Sequence, residues 1–243
     1  MSRSLLPVVL GAVLLVTACS GNAPAASGGT SQVPKAVSVP GAPAGSEVEN
    51  AVRTAFLGAT AVHIKGTLTN NTGSLSLDLQ LNKDNTASGT ISEGGAAIPV
   101  LSAGGKFYVQ FTPQLISQST NSAVGQAGAV LTNKWVSSDS PLASSMVAGL
   151  KPLLTFDSFV SNMFAQTSAA PTLTGTDVVN NTPALVYEST DGSTVYIAKS
   201  SPHYLARMTA PASGSGSLDF TGWNQPVPVS PPPAAQIYTG AGS

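Results

Sequence analysis

The feature that most constrains the fold is an alternation of apolar and polar residues with a period of two, repeated in two separate blocks. In the first block Val62, Ile64 and Leu68 alternate with His63, Lys65 and Thr67, and Leu75, Leu77, Leu79 and Leu81 alternate with Ser76, Asp78 and Gln80. Successive side chains of a strand point to opposite faces, so the pattern predicts strands with one greasy face and one wet face. Asn70-Asn71-Thr72-Gly73 and Lys83-Asp84-Asn85 supply turn residues between them. Further strands are expected at 86–92, 96–101 and 105–111, the last bringing Phe107, Val109 and Phe111 onto one side. The second block gives strands at 172–179, 183–189, 193–199, 203–210 and 215–223, with Asn180-Asn181 and Asp191-Gly192 as hairpin turns. The expectation is one large, largely antiparallel sheet in an α+β domain.

A sheet with one apolar face must be covered, and helical periodicity appears where a cover is needed. Ser46 followed by Glu49 reads as a capping box, and Val48, Ala51, Val52, Ala55 and Phe56 share a helical face, predicting a helix over 46–58 that ends at Gly58. Ser140-Pro141 has the form of an N-cap and first helical residue, with Leu142, Met146, Val147 and Leu150 at helical spacing before Pro152. Phe156, Phe159, Val160, Met163 and Phe164 form the stripe of an amphipathic helix. Residues 112–133 are polar and rich in Gly, Ser and Gln, with no pattern to assign, and read as a mobile loop. Beyond Trp223, Pro226, Pro228 and Pro231 to Pro233 predict an extended or disordered tail over 226–243. The helices could close on the sheet as a solid core or roof a cavity for an apolar ligand, and periodicity alone serves both.

The front of the chain is of another kind. Arg3 precedes an apolar stretch over residues 5–18, interrupted by Pro7 and ending in Val16-Thr17-Ala18-Cys19. Those fourteen residues fall short of the roughly 20 that span a bilayer, so residues 1–18 read as a removable signal. The final tetrapeptide has the form of a lipobox, which predicts diacylglyceryl attachment at Cys19, cleavage before it and anchoring on the outer face of the cell membrane. Residues 19–45, rich in Ser, Gly, Ala and Pro, then serve as a flexible tether. One domain is expected over 46–225.

Composition and motifs narrow the chemistry. Losing Arg3 with the signal leaves 9 Lys and Arg against 11 Asp and Glu, a formal charge of −2, and the basic residues lie singly between positions 35 and 207. Nucleic acid, which needs clustered cations, is not an expected partner. With Cys19 the only cysteine, no internal disulfide can form. His63 and His203 are the only histidines and are not spaced as metal ligands, so no metal or cofactor is expected. No G-x-S-x-G or S-x-x-K motif occurs, and Gly214-Ser215-Gly216 lacks the later glycine of a dinucleotide loop. No catalytic residue is assigned. A hydrolase of cell-wall material would need carboxylates assembled from distant positions, which sequence distance does not forbid.

The order of parts is itself informative: lipobox, tether, first helix, Ala61-Val62-His63-Ile64-Lys65-Gly66-Thr67-Leu68, Gly105-Lys106-Phe107-Tyr108-Val109, Lys134-Trp135, and Phe220-Thr221-Gly222-Trp223-Asn224-Gln225-Pro226-Val227 passing into prolines. From about 46 to 237 this arrangement resembles the actinobacterial LppX/LprA/LprF/LprG lipoprotein family. The resemblance implies a curved half-barrel similar to the LolA and LolB carriers, with helices packed on its concave face. It also implies a cavity for acyl lipids or lipoglycans and traffic with an envelope transporter protein. Leu75, Leu77, Leu79, Leu81, Phe107, Val109, Phe111, Leu150, Phe156, Phe159, Val160, Met163 and Phe164 would then line the cavity. The rival reading is a structural or partner-binding envelope lipoprotein with a solid core.

Overall fold

The computed structural model describes residues 34–71, 73–163 and 169–240. In chain order it contains α1 (Gly45–Gly58), β1 (Ala61–Asn70), β2 (Gly73–Asn82), β3 (Ala87–Glu93), β4 (Ala96–Ala103) and β5 (Lys106–Gln110). Three short helices follow, α2 (Pro113–Gln118), α3 (Ser122–Gln126) and α4 (Gly128–Leu131), then β6 (Trp135–Ser137), α5 (Ser144–Leu154) and α6 (Phe156–Met163). The second block is β7 (Thr172–Val179), β8 (Thr182–Glu188), β9 (Thr194–Ala198), β10 (Leu205–Thr209) and β11 (Ser215–Thr221). Every strand expected from alternation is present, with ends within two residues.

All eleven strands join in one antiparallel sheet, ordered β6-β5-β4-β3-β2-β1-β11-β10-β9-β8-β7. Each block folds as a meander of neighbours, and the blocks meet where β1 pairs with β11 from His63↔Thr221 to Thr69↔Ser215. Strands β6 and β7 are the two edges and do not pair with each other, so the sheet is a curved, open half-barrel. The chain crosses from one edge to the other through α5 and α6. Two glycines on the inner face permit the bend: Gly66 has φ +150° and Gly89 φ +149°. A Cβ added to either would lie 2.0 Å from a carbonyl oxygen of the adjoining strand, Ser217 and Asp78 respectively, so only glycine lets the backbones approach there.

The strands define two ends. At one, which we call the tether end, lie the β1–β2, β3–β4, β8–β9 and β10–β11 hairpins and the start of β7. The chain enters the body here: the Val37 N–H donates to the Leu173 carbonyl at 2.9 Å, and the Tyr187 hydroxyl donates to the Pro43 carbonyl at 2.6 Å. Helix α1 begins beside Pro171 at this end and finishes at the far end, where β1 starts. Helix α6 leaves the far end, with Asp157 paired to Lys83 of the β2–β3 turn at 2.6 Å.

Several expectations need correcting. The cap of α1 uses Glu47, whose carboxylate accepts the Ala44 N–H at 3.2 Å; Glu49 instead pairs with Arg53 at 2.9 Å. Residues 112–133 are no bare loop: the Thr112 and Asn121 side chains cap α2 and α3, and Leu115, Val124 and Leu131 are buried. Short amphipathic turns of this length are hard to read because one buried residue per turn leaves no period. Helix α5 starts after a turn closed by the Ala143 N–H on the Ser140 carbonyl, and it runs through Pro152. Pro152 costs its last turn a hydrogen bond, against which Leu153 and Leu154 are almost fully buried, worth roughly 1.5–3 kcal/mol each. The three-residue β6 was not foreseen.

The tether stops earlier than expected, since Val39 and Ala42 already pack on the core. The proline-rich tail is extended but fastened. The Asn82 amide donates to the Val227 carbonyl at 2.7 Å, Lys134 donates to the Ala235 carbonyl at 2.7 Å, and Ile237 bridges Trp135 at the β6 edge. The expected signal, Cys19 and Phe164 lie outside the described residues.

Candidate functional site

Pairing register shows how the alternating residues assemble. On the concave face one row runs Ile98, Ile91, Leu77, Gly66, Leu218, Met208, Val195, Tyr187 and Leu173, each opposite the next on the neighbouring strand. Nearer the far end Val136, Val109, Val100, Gly89, Leu79, Ile64 and Phe220 form a second row, and Phe107, Ser102, Ala87, Leu81 and Val62 a third. Beyond the first row, toward the tether end, Leu68 faces Leu75. Residues far apart in sequence thus make one apolar surface.

Helices α1, α5 and α6 cover the far part of this surface. Phe56 of α1 meets Phe220 edge-on at 6.0 Å, Phe156 at 6.3 Å and Trp223 at 4.6 Å, and Trp223 stacks on Tyr204 at 4.7 Å. The Lys151 ammonium of α5 lies 5.6 Å from the centre of the Phe107 ring, and that of Lys83 lies 5.1 Å from the centre of the Phe156 ring. Leu77, Leu79, Leu81, Val109, Phe111, Leu150, Phe156, Phe159 and Val160, expected as cavity lining, all fall into this one cluster, with Leu75, Phe107 and Met163 partly buried against it. Sequence reading missed Leu68, Leu173, Val195 and Met208, whose membership follows only from the register of β1, β7, β9 and β10.

The hollow implied by the resemblance is filled here. Leu79, Leu81, Val109, Phe111 and Phe156 are each at most 1% exposed, so no water-sized void touches them. The tether end differs: Leu68, Leu75, Met163, Leu173, Val195 and Met208 pack against the core but remain partly exposed. Two shallow surface clefts, of about 350 and 290 Å³, lie between α1 and residues 201–204 and beside Pro152 and Asp157, and neither is lined by a residue of the apolar rows.

The convex face carries polar side chains. Asp78 accepts from His63 at 2.7 Å and pairs with Lys65 at 2.8 Å, while Arg207 forks onto Asp219. The hydrogen bonds from Lys65 and then His63 hold the Asp78 carboxyl below its ordinary value, and Asp219 holds the Arg207 guanidinium above its own. On the inner side, burial pushes the Tyr187 phenol upward. Among the described residues no group of His, Cys, Asp and Glu is arranged to hold a metal, and no helix is long and apolar enough to cross a membrane.

No protein-family model and no curated protein matches the chain. Solved structures do. The lipoprotein LppX of Mycobacterium tuberculosis aligns at 17% identity over 76% of this chain and 97% of its own, with a TM-score of 0.48. LprF of Mycobacterium bovis aligns at 14% identity over 77% of this chain and 96% of its own, with a TM-score of 0.51. A LolA superfamily protein of Nitrosomonas europaea gives 8% identity, 82% and 99% coverage, and a TM-score of 0.21. With its open eleven-stranded sheet and helical cover, the chain has the fold of LprF.

Proposed function

We propose that this is a lipoprotein anchored through Cys19 on the extracytoplasmic face of the cell membrane, whose domain binds the acyl chains of an envelope lipid or lipoglycan without chemistry of its own. The observation that carries the reading is the set of apolar rows across the concave face, closely covered at the far end and left partly exposed at the tether end. A saturated chain of sixteen carbons gains roughly 12 kcal/mol on leaving water, at about 0.8 kcal/mol per methylene, so such a face can hold lipid with few polar contacts.

Because the far part is filled, the ligand enters by displacing the cover. That cover is lightly held at its polar margin: Lys83–Asp157 and Lys106–Asp139, both at 2.6 Å, are exposed pairs of the kind worth at most about 1 kcal/mol. The strands beneath are tied by continuous ladders, so what yields is the helical cover, opening from its partly buried Met163 end while the aromatic cluster at Phe156 stays packed. Met163 and Met208 at the exposed end have flexible thioethers suited to an irregular guest.

The filled interior favours a second reading, a partner-binding lipoprotein with a solid core. Mass spectrometry of a form with Cys19→Ser, recovered from its native envelope, separates the two. The carrier reading expects copurifying lipid that is lost in Leu75→Asp, and hydrogen exchange in α5 and α6 that slows when lipid is present. Lipid-free protein with unchanged exchange on adding acyl lipid overturns it in favour of the solid core.

A further inference from the structure

We infer that the tether end of the domain is a docking surface for a lipid bilayer of low negative charge, so that the protein stands on the membrane with its partly exposed apolar end downward. This rests on the anchor at Cys19. Three observations converge on one end of the molecule. First, the chain enters the folded body there, through Val37 on Leu173 and Pro43 under the Tyr187 hydroxyl. Second, Leu68, Leu75, Leu173, Val195 and Met208 are partly exposed at that end beside the exposed Val37, and α6, which leaves the far end at Asp157, brings Met163 toward it; the exposed Leu57, Val178 and Val227 of the far end sit on three separate segments and belong to no row of the concave face. Third, its turns and helix start carry Glu47, Glu93, Glu188 and Asp191, against Lys35 two residues before Val37 and Lys134 before β6, whose ammonium is engaged by the Ala235 carbonyl.

The length of the leash makes weak surface contact sufficient. Seventeen residues lie between Cys19 and Val37, and a Gly- and Ser-rich linker of that length has an end-to-end distance of roughly 25 Å. A domain held that close to the bilayer meets it at an effective concentration in the millimolar range. Attachment at the tether end also makes every other orientation require the chain to wrap around the body. A modest apolar rim then selects the orientation, with its side chains at the headgroup boundary where partly apolar surfaces settle. The four carboxylates set the charge preference: they are repelled by anionic headgroups over about a Debye length, and there is no polybasic patch to oppose this.

The test uses the full lipidated protein in phosphatidylcholine vesicles, with one added cysteine labelled by the same fluorophore, either Thr190→Cys in the β8–β9 turn or Ser200→Cys in the β9–β10 turn at the far end. Nitroxide-bearing lipid is expected to quench the Thr190 label several-fold more than the Ser200 label. Replacing a third of the lipid by phosphatidylglycerol should shrink the difference, and added salt should restore it. Equal quenching of the two labels, or stronger quenching at Ser200, in protein that floats with the vesicles overturns the docking but leaves the anchor. Protein that does not float and lacks the added mass at Cys19 overturns both.

Discussion

Along β1 and β2 the same kind of side chain meets two different fates. At the far end Ile64 and Leu79 are wholly buried in the row that continues onto Phe220, against which Phe56 of α1 packs, whereas Leu68 and Leu75, two rows on along the same strands, remain partly exposed. The difference is made by what lies above, not by the strands. At the far end aromatic rings from α1, α6 and the segment after β11 interlock, and at the tether end the neighbours are leucine, valine and methionine on either side of the buried Tyr187. Close packing specifies a single arrangement, and loose apolar surface keeps the capacity to rearrange or to bind.

Breaking the far end should cost most. Phe56 touches Phe156, Phe220 and Trp223 at once, so Phe56→Ala should destabilise by about 3–5 kcal/mol. Thermal unfolding would then show a midpoint lower by roughly 2–4 °C for each kcal/mol. A smaller loss would mean that the aromatic cluster collapses onto the gap and is not the rigid part of the fold. Comparing two leucines on one strand sharpens the contrast further. Leu79→Ala should cost about 3 kcal/mol and Leu75→Ala about 1 kcal/mol, with the order reversed for lipid retained on purification. Equal losses of stability at the two positions would remove the distinction between the ends.

The division between what sequence reveals and what it hides follows the same line. Strands were legible because Leu75, Leu77, Leu79 and Leu81 each repeat the same two-residue rule, and a ladder adds a further vote for every residue. Helix α6 was legible because Phe156, Phe159, Val160 and Met163 fall on one stripe. Short elements gave no such redundancy: β6 has three residues and α4 four, and their places are fixed by Leu131 and Val136 finding the core. The cap of α1 was misplaced by two residues because Glu47 and Glu49 are equivalent in type and only the path of the preceding chain distinguishes them. Whether the concave face is filled was not legible at all, since Phe156 on a core helix and Phe156 on a lid are the same letter in the same phase. The exposed rim was half legible: Leu75 is marked by its ladder, but Met208 joins it only through the pairing with Leu218 and Val195.

The smallest expected effect lies on the convex face, away from both ends. Asp78 bridges β1 through Lys65 and His63, and those bonds hold its carboxyl below the ordinary value, so the folded state favours the ionised form. A depressed carboxyl contributes stability that is complete above the unfolded value near 4 and is lost as the pH falls through the lower folded value. The side chain is about half exposed, which limits the contribution to at most about 1 kcal/mol. Asp78→Asn should therefore lower stability slightly at neutral pH and flatten the stability profile below about pH 4, where the parent protein steepens. Chemical denaturation at a series of pH values measures both curves. Parallel curves would show that solvent already screens the pair, and the stability of the half-barrel would then rest on its two differently packed ends and its ladders alone.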